Sequence, residues 1–198
     1  MTTPTRTFVA VVTAPLAIVA LTAAAHITPT VVLHKQADVI RSTLEGARQY
    51  FVRTVEIGQA DRDRLQRDVD FVPEDPSFNF YYGTDAAGDT AGVVLFPQVN
   101  TQHGPLEIGL VIGPNQAIRK VVVTKATVET KPWVLAAVRA GLLGRFEGER
   151  AGDDPAAALE GLSADSLGQM PHYMARVTVT AVRRGLALYD ILYSGGDR

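Results

Sequence analysis

Residues 7–25 read TFVAVVTAPLAIVALTAAA, a run without a single charged side chain. At about 1.5 Å per residue a helix over this run is roughly 28 Å long, close to a hydrocarbon core of about 30 Å. The run has no amphipathic period, so it does not read as a helix lying against a globular core. Pro15 is tolerated inside a membrane helix. Arg6 precedes the run and His34, Lys35 and Arg41 follow it, which leaves the positive-inside bias nearly balanced. Two readings follow: a retained single-pass anchor over residues 1–30, or a signal peptide cleaved after Ala23-Ala24-Ala25. The run exceeds the roughly 7–15 apolar residues of a signal-peptide core, which favours the anchor. Ala10, Ala14, Ala17, Ala20 and Ala23, with Thr13 and Thr22, permit close packing against neighbouring membrane helices.

The remainder, residues 31–198, is long enough for one domain. Hydrophobic residues make up 46% of the chain, enough for a real core. A net charge of −2 and a pI near 6.1 give no electrostatic footprint for nucleic acid. The chain has no cysteine, which excludes disulfides, thiol catalysis, Cys-ligated iron–sulfur clusters and Cys-attached haem. It also lacks a Gly-rich phosphate loop, a His-Glu-x-x-His pair and a Gly-x-Ser-x-Gly elbow.

The periodicity of Leu33, Ala37, Ile40, Leu44 and Ala47 predicts a helix over about 32–55. Residues 62–67 read as a solvated charged stretch and 72–76 as a turn-rich connector. The middle is β-rich. Strands are expected at 78–82, 91–99, 105–112 and 118–128, with turns at 85–88 and 113–115. Val121, Val123 and Lys125 are expected on one face. Residues 133–143 read as a helix and 148–155 as a polar loop. The last helix spans 171–193, with Pro171 in its first turn and Gly195 beyond its end. Its buried stripe contains Val177, Ala181, Leu188 and Leu192, and Arg183 and Arg184 lie on its exposed face. The order predicts an α+β domain, an antiparallel sheet with flanking helices.

Several short motifs occur in a fixed order. They are Lys35-Gln36 with Ile40, Gly104-Pro105-Leu106, the Pro114-Asn115 turn, Glu129-Thr130-Lys131-Pro132-Trp133 and Phe146-Glu147-Gly148. The stretch 161–186, GLSADSLGQMPHYMARVTVTAVRRGL, closes the series with Asp165, Gly168 and Val182-Arg183-Arg184. In order and spacing these motifs resemble the FMN-binding domain of the C subunit of the sodium-pumping NADH:quinone reductase and the G subunit of the Rnf complex. That family carries FMN on a Thr hydroxyl, through a phosphoester, at a Ser-Gly-Ala-Thr turn before the Val-Arg-Arg helix. Counting back from Val182 without gaps places His172 at the Thr position. One gap after Leu167 places Met170 there. Neither residue has a hydroxyl.

The resemblance therefore implies a degenerate flavin site made of Glu129, Thr130, Asp165, Gly168, Met170, His172 and Tyr173. The inserted Lys131 and the bulk of Trp133 imply that the family's pocket is refilled. No cofactor is expected. The alternative is non-covalent FMN, with His172 on the phosphate and Tyr173 on the isoalloxazine ring; the competing reading makes them a helix-start residue and a core aromatic. His172 with Met170 or Met174 offers haem-ligand types, and His26 and His34 lie near the expected membrane surface, but lone histidines are usually structural. No metal site is expected. Glu147, Glu149, Asp153 and Asp154 read as solvated loop charges rather than an acid–base pair.

The functional expectation is an accessory or structural subunit of an energy-transducing membrane electron-transfer complex, respiratory or photosynthetic, and not an enzyme in its own right. The expected place is the bacterial inner membrane, single-pass, with the domain periplasmic. The expected partners are other subunits of the complex and, through the N-terminal helix, lipid. Two alternatives stand beside it: an active electron carrier with non-covalent FMN, and an exported soluble binding protein. Tyr81, Tyr82, Phe96 and Trp133 are candidate interface aromatics.

Overall fold

The computed structural model describes residues 28–193, so the expected anchor or signal peptide at 7–25 lies outside the described residues. The architecture is organised by one apolar strand, β6 (Gly104–Ile112), whose residues are buried almost throughout. Burial at every position requires cover on both faces of a sheet. Leu106, Ile108, Leu110 and Ile112 point to one face, and Glu107, Gly109 and Val111 to the other.

Among the described residues seven antiparallel strands form the sheet: β1 (Thr30–Val32), β2 (Gln49–Glu56), β3 (Ser77–Thr84), β4 (Thr90–Leu95), β5 (Gln98–Thr101), β6 and β7 (Ile118–Thr127). Their order is β1-β7-β6-β4-β3-β2, with β5 also paired to β6. The helices are α1 (Gln36–Thr43), α2 (Gln59–Val69), α3 (Lys131–Arg139), α4 (Ala164–Leu167) and α5 (Gln169–Leu188). The fold is α+β, as the element order predicts.

Helix α5 lies across the main face. Met174, Val177, Ala181, Val182 and Leu188 pack there against Phe80, Leu95, Leu106, Ile108, Leu110 and Val123. The approach is close at Gly185, where a Cβ would stand 2.7 Å from Leu110 Cδ2 and 3.0 Å from Pro97 Cγ. The opposite face carries a smaller cluster of Val39, Leu44, Val94 and Val111 under α1.

The helix expected over 32–55 is two elements. Helix α1 stops at Thr43, and Gly46 turns the chain at φ 84°. The following residues form β2, paired with β3 along its full length. Gly46 is the stop signal, and Tyr50, Phe51, Val52, Thr54 and Val55 are residue types that suit a pleated surface better than a helix. The charged stretch 62–67 belongs to α2, which buries a single residue, Leu65.

The return strand expected over 91–99 is broken at Phe96-Pro97. Strand β4 ends with Leu95 opposite Leu110, and β5 begins with Gln98 opposite Glu107, on the same side of β6. Pro97 has no N–H for a ladder, but its carbonyl accepts from Ile108 N at 3.1 Å. On β7 the register shifts: Val123 faces Ile108 whereas Lys125 faces Glu107, so Thr124 is an extra residue. That bulge moves Lys125 to the face opposite Val121 and Val123. Helix α3 ends at Arg139, and Gly141 at φ 84° turns the chain into a 3-10 turn at Leu143–Phe146. Helix α5 begins two residues before Pro171 and runs into a π turn at Tyr189–Tyr193.

Candidate functional site

The turn from β7 into α3 is fixed by two buried hydroxyls. Thr127 N donates to Thr130 Oγ1 at 3.0 Å, Thr130 N donates to Thr127 Oγ1 at 3.1 Å, and the two hydroxyl oxygens stand 2.9 Å apart. Thr127 Oγ1 also donates to His103 O at 3.0 Å. This brings the β5–β6 turn against β7, and only glycine fits there. Gly104 has φ 92°, and a Cβ on it would meet Thr127 Cγ2 at 2.5 Å.

The outcome is a cluster centred on His103. Its Nδ1 lies 3.0 Å from Glu129 Oε1. Its ring meets Trp133 edge-on at 5.3 Å and Tyr173 at 6.0 Å. Three of the seven nominated residues, Glu129, Thr130 and Tyr173, converge here. Their hub, His103, was missed because its only sequence signal is its place in a tight turn before Gly104-Pro105. The Thr130 hydroxyl is committed to the backbone turn. Trp133 and Tyr173 fill the space beside the imidazole with apolar rings.

The other four nominated residues gather at the α4–α5 junction. Ser163 Oγ accepts from Ser166 N at 3.3 Å and caps α4, whose first turn holds the exposed Asp165. Gly168 joins the two helices at φ 89° and ψ 156°, a conformation open to glycine. Met170 and Pro171 occupy the first turn of α5. His172 Nδ1 lies 2.6 Å from Leu162 O. A carbonyl only accepts, so the proton of this hydrogen bond sits on Nδ1. Tyr173 follows His172 on the same helix, so the two groups adjoin within one turn.

The chemistry of this junction does not fit an attached flavin. Met170, Pro171 and His172 have no hydroxyl for a phosphoester. Pro171 removes one N–H from the first turn, and His172 N already donates to Gly168 O at 3.0 Å. Further along α5, Thr178 Oγ1 donates to Met174 O at 2.9 Å and Thr180 Oγ1 to Arg176 O at 3.2 Å. Among the described residues no group of three or more His, Asp or Glu is placed to hold a metal ion.

Two charged residues differ from their sequence reading. Arg183 is half-exposed and pairs with Asp154 at 2.7 Å. Arg184 is not on the open face. Its guanidinium lies 4.7 Å over the Phe71 ring, its Nε is buried without a hydrogen-bond partner among the described residues, and burial lowers its pKa against the opposing pull of Asp70. Glu149 is not a freely solvated charge either. Its Oε2 is buried and has no hydrogen-bond partner among the described residues, and burial, then Asp153 and Asp154, raise its pKa. The candidate interface aromatics are half-buried: Tyr81 meets Phe96 edge-on at 5.7 Å, and Tyr82 stacks on Phe51 at 5.3 Å. Among the described residues no helix is long and apolar enough to cross a membrane.

Compared with protein-family models, curated proteins and solved structures, the chain matches none.

Proposed function

We propose that this chain is a non-catalytic accessory subunit of an energy-transducing membrane electron-transfer complex, built on a domain similar to FMN-carrier domains but without an attached flavin. One observation carries the reading. At the start of α5, where the resembled family would hold its flavin, Met170 and Pro171 replace a hydroxyl-bearing turn and His172 is tied to Leu162 O. The His103 cluster supports it, since Trp133 and Tyr173 pack there against an imidazole. The uncharged run at 7–25 supplies a tether to the inner membrane and leaves the domain periplasmic. What the domain then offers a complex is shape and surface rather than a redox centre.

The test is the absorption spectrum and intact mass of the protein purified from native membranes in mild detergent. The expected result is a full-length mass, no visible flavin band and co-purifying redox subunits. A flavin band released by denaturation would replace this reading with an electron carrier holding FMN non-covalently. Flavin that survives denaturation would overturn it. A mass lacking the residues through Ala25, with no co-purifying subunits, would make the chain an exported soluble binding protein.

A further inference from the structure

Among the described residues the sheet ends at β2, whose eight residues pair with β3 on one side only. This edge is apolar where edges are usually blunted: Tyr50, Phe51 and Val52 are 46%, 42% and 56% exposed. Ile57 N donates to Pro76 O, and the register continues unbroken to Gln49 opposite Thr84. Odd-numbered residues therefore turn their N–H and C=O groups toward β3. Tyr50, Val52, Thr54 and Glu56 direct theirs outward.

We infer that β2 is a self-association surface, at which the β2 strand of a second copy of this chain pairs antiparallel about a twofold axis at Val52. The strand is complementary to itself in that register. Val52 meets Val52 of the second copy, and Tyr50 meets Thr54, so outward-facing backbone groups meet outward-facing ones and each pair exchanges two N–H···O=C bonds. Phe51 falls beside Arg53. At the ends Arg48 falls opposite Glu56, twice over by symmetry. Arg48 turns its own N–H inward to Thr84 O, so its contribution is charge rather than a ladder bond. Neither Arg48 nor Glu56 has a side-chain partner among the described residues.

Other registers lose this match. Centring the pair on Arg53 sets Arg53 against itself, and centring it on Phe51 leaves Glu56 beyond the partner strand. A parallel partner would set Arg48 beside Arg48. One strand edge buries less than the roughly 1,600 Å² of a standard interface, so the dimer is concentration-dependent.

The absence of cysteine makes the test direct, because Val52→Cys introduces the chain's only thiol. Across a hydrogen-bonded antiparallel pair the Cα atoms are about 5.5 Å apart, inside the disulfide range of about 4.4–6.8 Å. The full chain in mild detergent is followed by sedimentation velocity over a concentration series, and the cysteine variants by mild oxidation. The expected results are a dimer, an interchain disulfide for Val52→Cys, and none for Val128→Cys, a comparably exposed control in the turn that follows β7. Arg48→Glu is expected to weaken the dimer about tenfold, and adding Glu56→Arg to restore it. A chain that stays monomeric with no Val52→Cys disulfide would overturn the inference. So would a dimer indifferent to Arg48→Glu, or one in which Val128→Cys crosslinks as readily.

Discussion

Glu107 Oε2 and Lys125 Nζ meet at 2.7 Å across the β6–β7 ladder, beneath α1. The carboxylate is nearly buried while the lysine stays half-exposed. Its other oxygen accepts from Thr124 Oγ1 at 2.8 Å and from Gln36 Nε2 at 3.0 Å. One side chain thus joins α1 to the sheet and both residues of the β7 bulge to β6. A buried carboxylate is tolerated only with such partners, because desolvation otherwise opposes its charge.

Removing Glu107 should therefore cost more than removing Lys125. Glu107→Ala is expected to lower stability by about 3 kcal/mol, since it breaks three hydrogen bonds to a charged group. Lys125→Met, which leaves Thr124 and Gln36 in place, is expected to cost about 2 kcal/mol. Denaturant unfolding of the two single variants and the double variant should give a coupling energy of about 1 kcal/mol. Additive effects would mean that the ion pair contributes nothing beyond its separate packing.

Gly185 sits mid-helix, where alanine normally stabilises by up to about 1 kcal/mol. Here the helix rides directly on the sheet, and the Pro97 ring cannot rotate away from a new methyl group. Gly185→Ala is expected to destabilise by a net amount of about 1–3 kcal/mol, the range for overpacking a core. An unchanged or raised melting temperature would show that α5 can lift off Pro97 at little cost.

The parts of the fold legible in the sequence are those in which local pattern and burial agree. Leu106, Ile108 and Leu110 of β6 are buried in the core, and the stripe of Val177, Ala181, Leu188 and Leu192 is buried as its spacing predicts. Reading failed where tertiary context decides. A helical period carried through Gly46 hid β2, because a residue's φ is not visible in its spacing. The extra residue Thr124 reversed the face of Lys125, and the carboxylate that both residues contact, Glu107, lies on another strand. Of the nominated site, Glu129, Thr130 and Tyr173 do converge. His103, which joins them, is 26 residues from Glu129 in the chain, so no local motif could report the contact.

Glu149 gives a pH dependence of definite sign. Its folded-state pKa lies above the ordinary carboxylate value, first through burial and then through Asp153 and Asp154. The folded protein thus holds the proton more tightly than the unfolded chain. Its contribution is complete below the ordinary glutamate pKa and is lost as pH rises through the raised value. Glu149→Gln should accordingly be more stable than the parent at neutral pH and equal to it in acid. Melting temperatures of both proteins across that range test the point. A constant difference at every pH would assign the effect to packing.

The final prediction concerns the α5 junction. A phosphoester needs a hydroxyl, but it also needs a turn that a flavin transferase can approach. Met170→Thr or His172→Thr supplies the first without the second. Pro171 still fixes the backbone between the two positions, and Gln169 stands in place of the small residues of the resembled turn. His172→Thr also removes the bond to Leu162 O, a loss of about 1 kcal/mol. Either single variant, co-expressed with the transferase, is expected to keep the mass of its bare chain and show no flavin fluorescence after denaturing electrophoresis. Recovery of flavinylated protein from either one would show that the hydroxyl alone governs attachment, and that this junction is one substitution away from a working carrier.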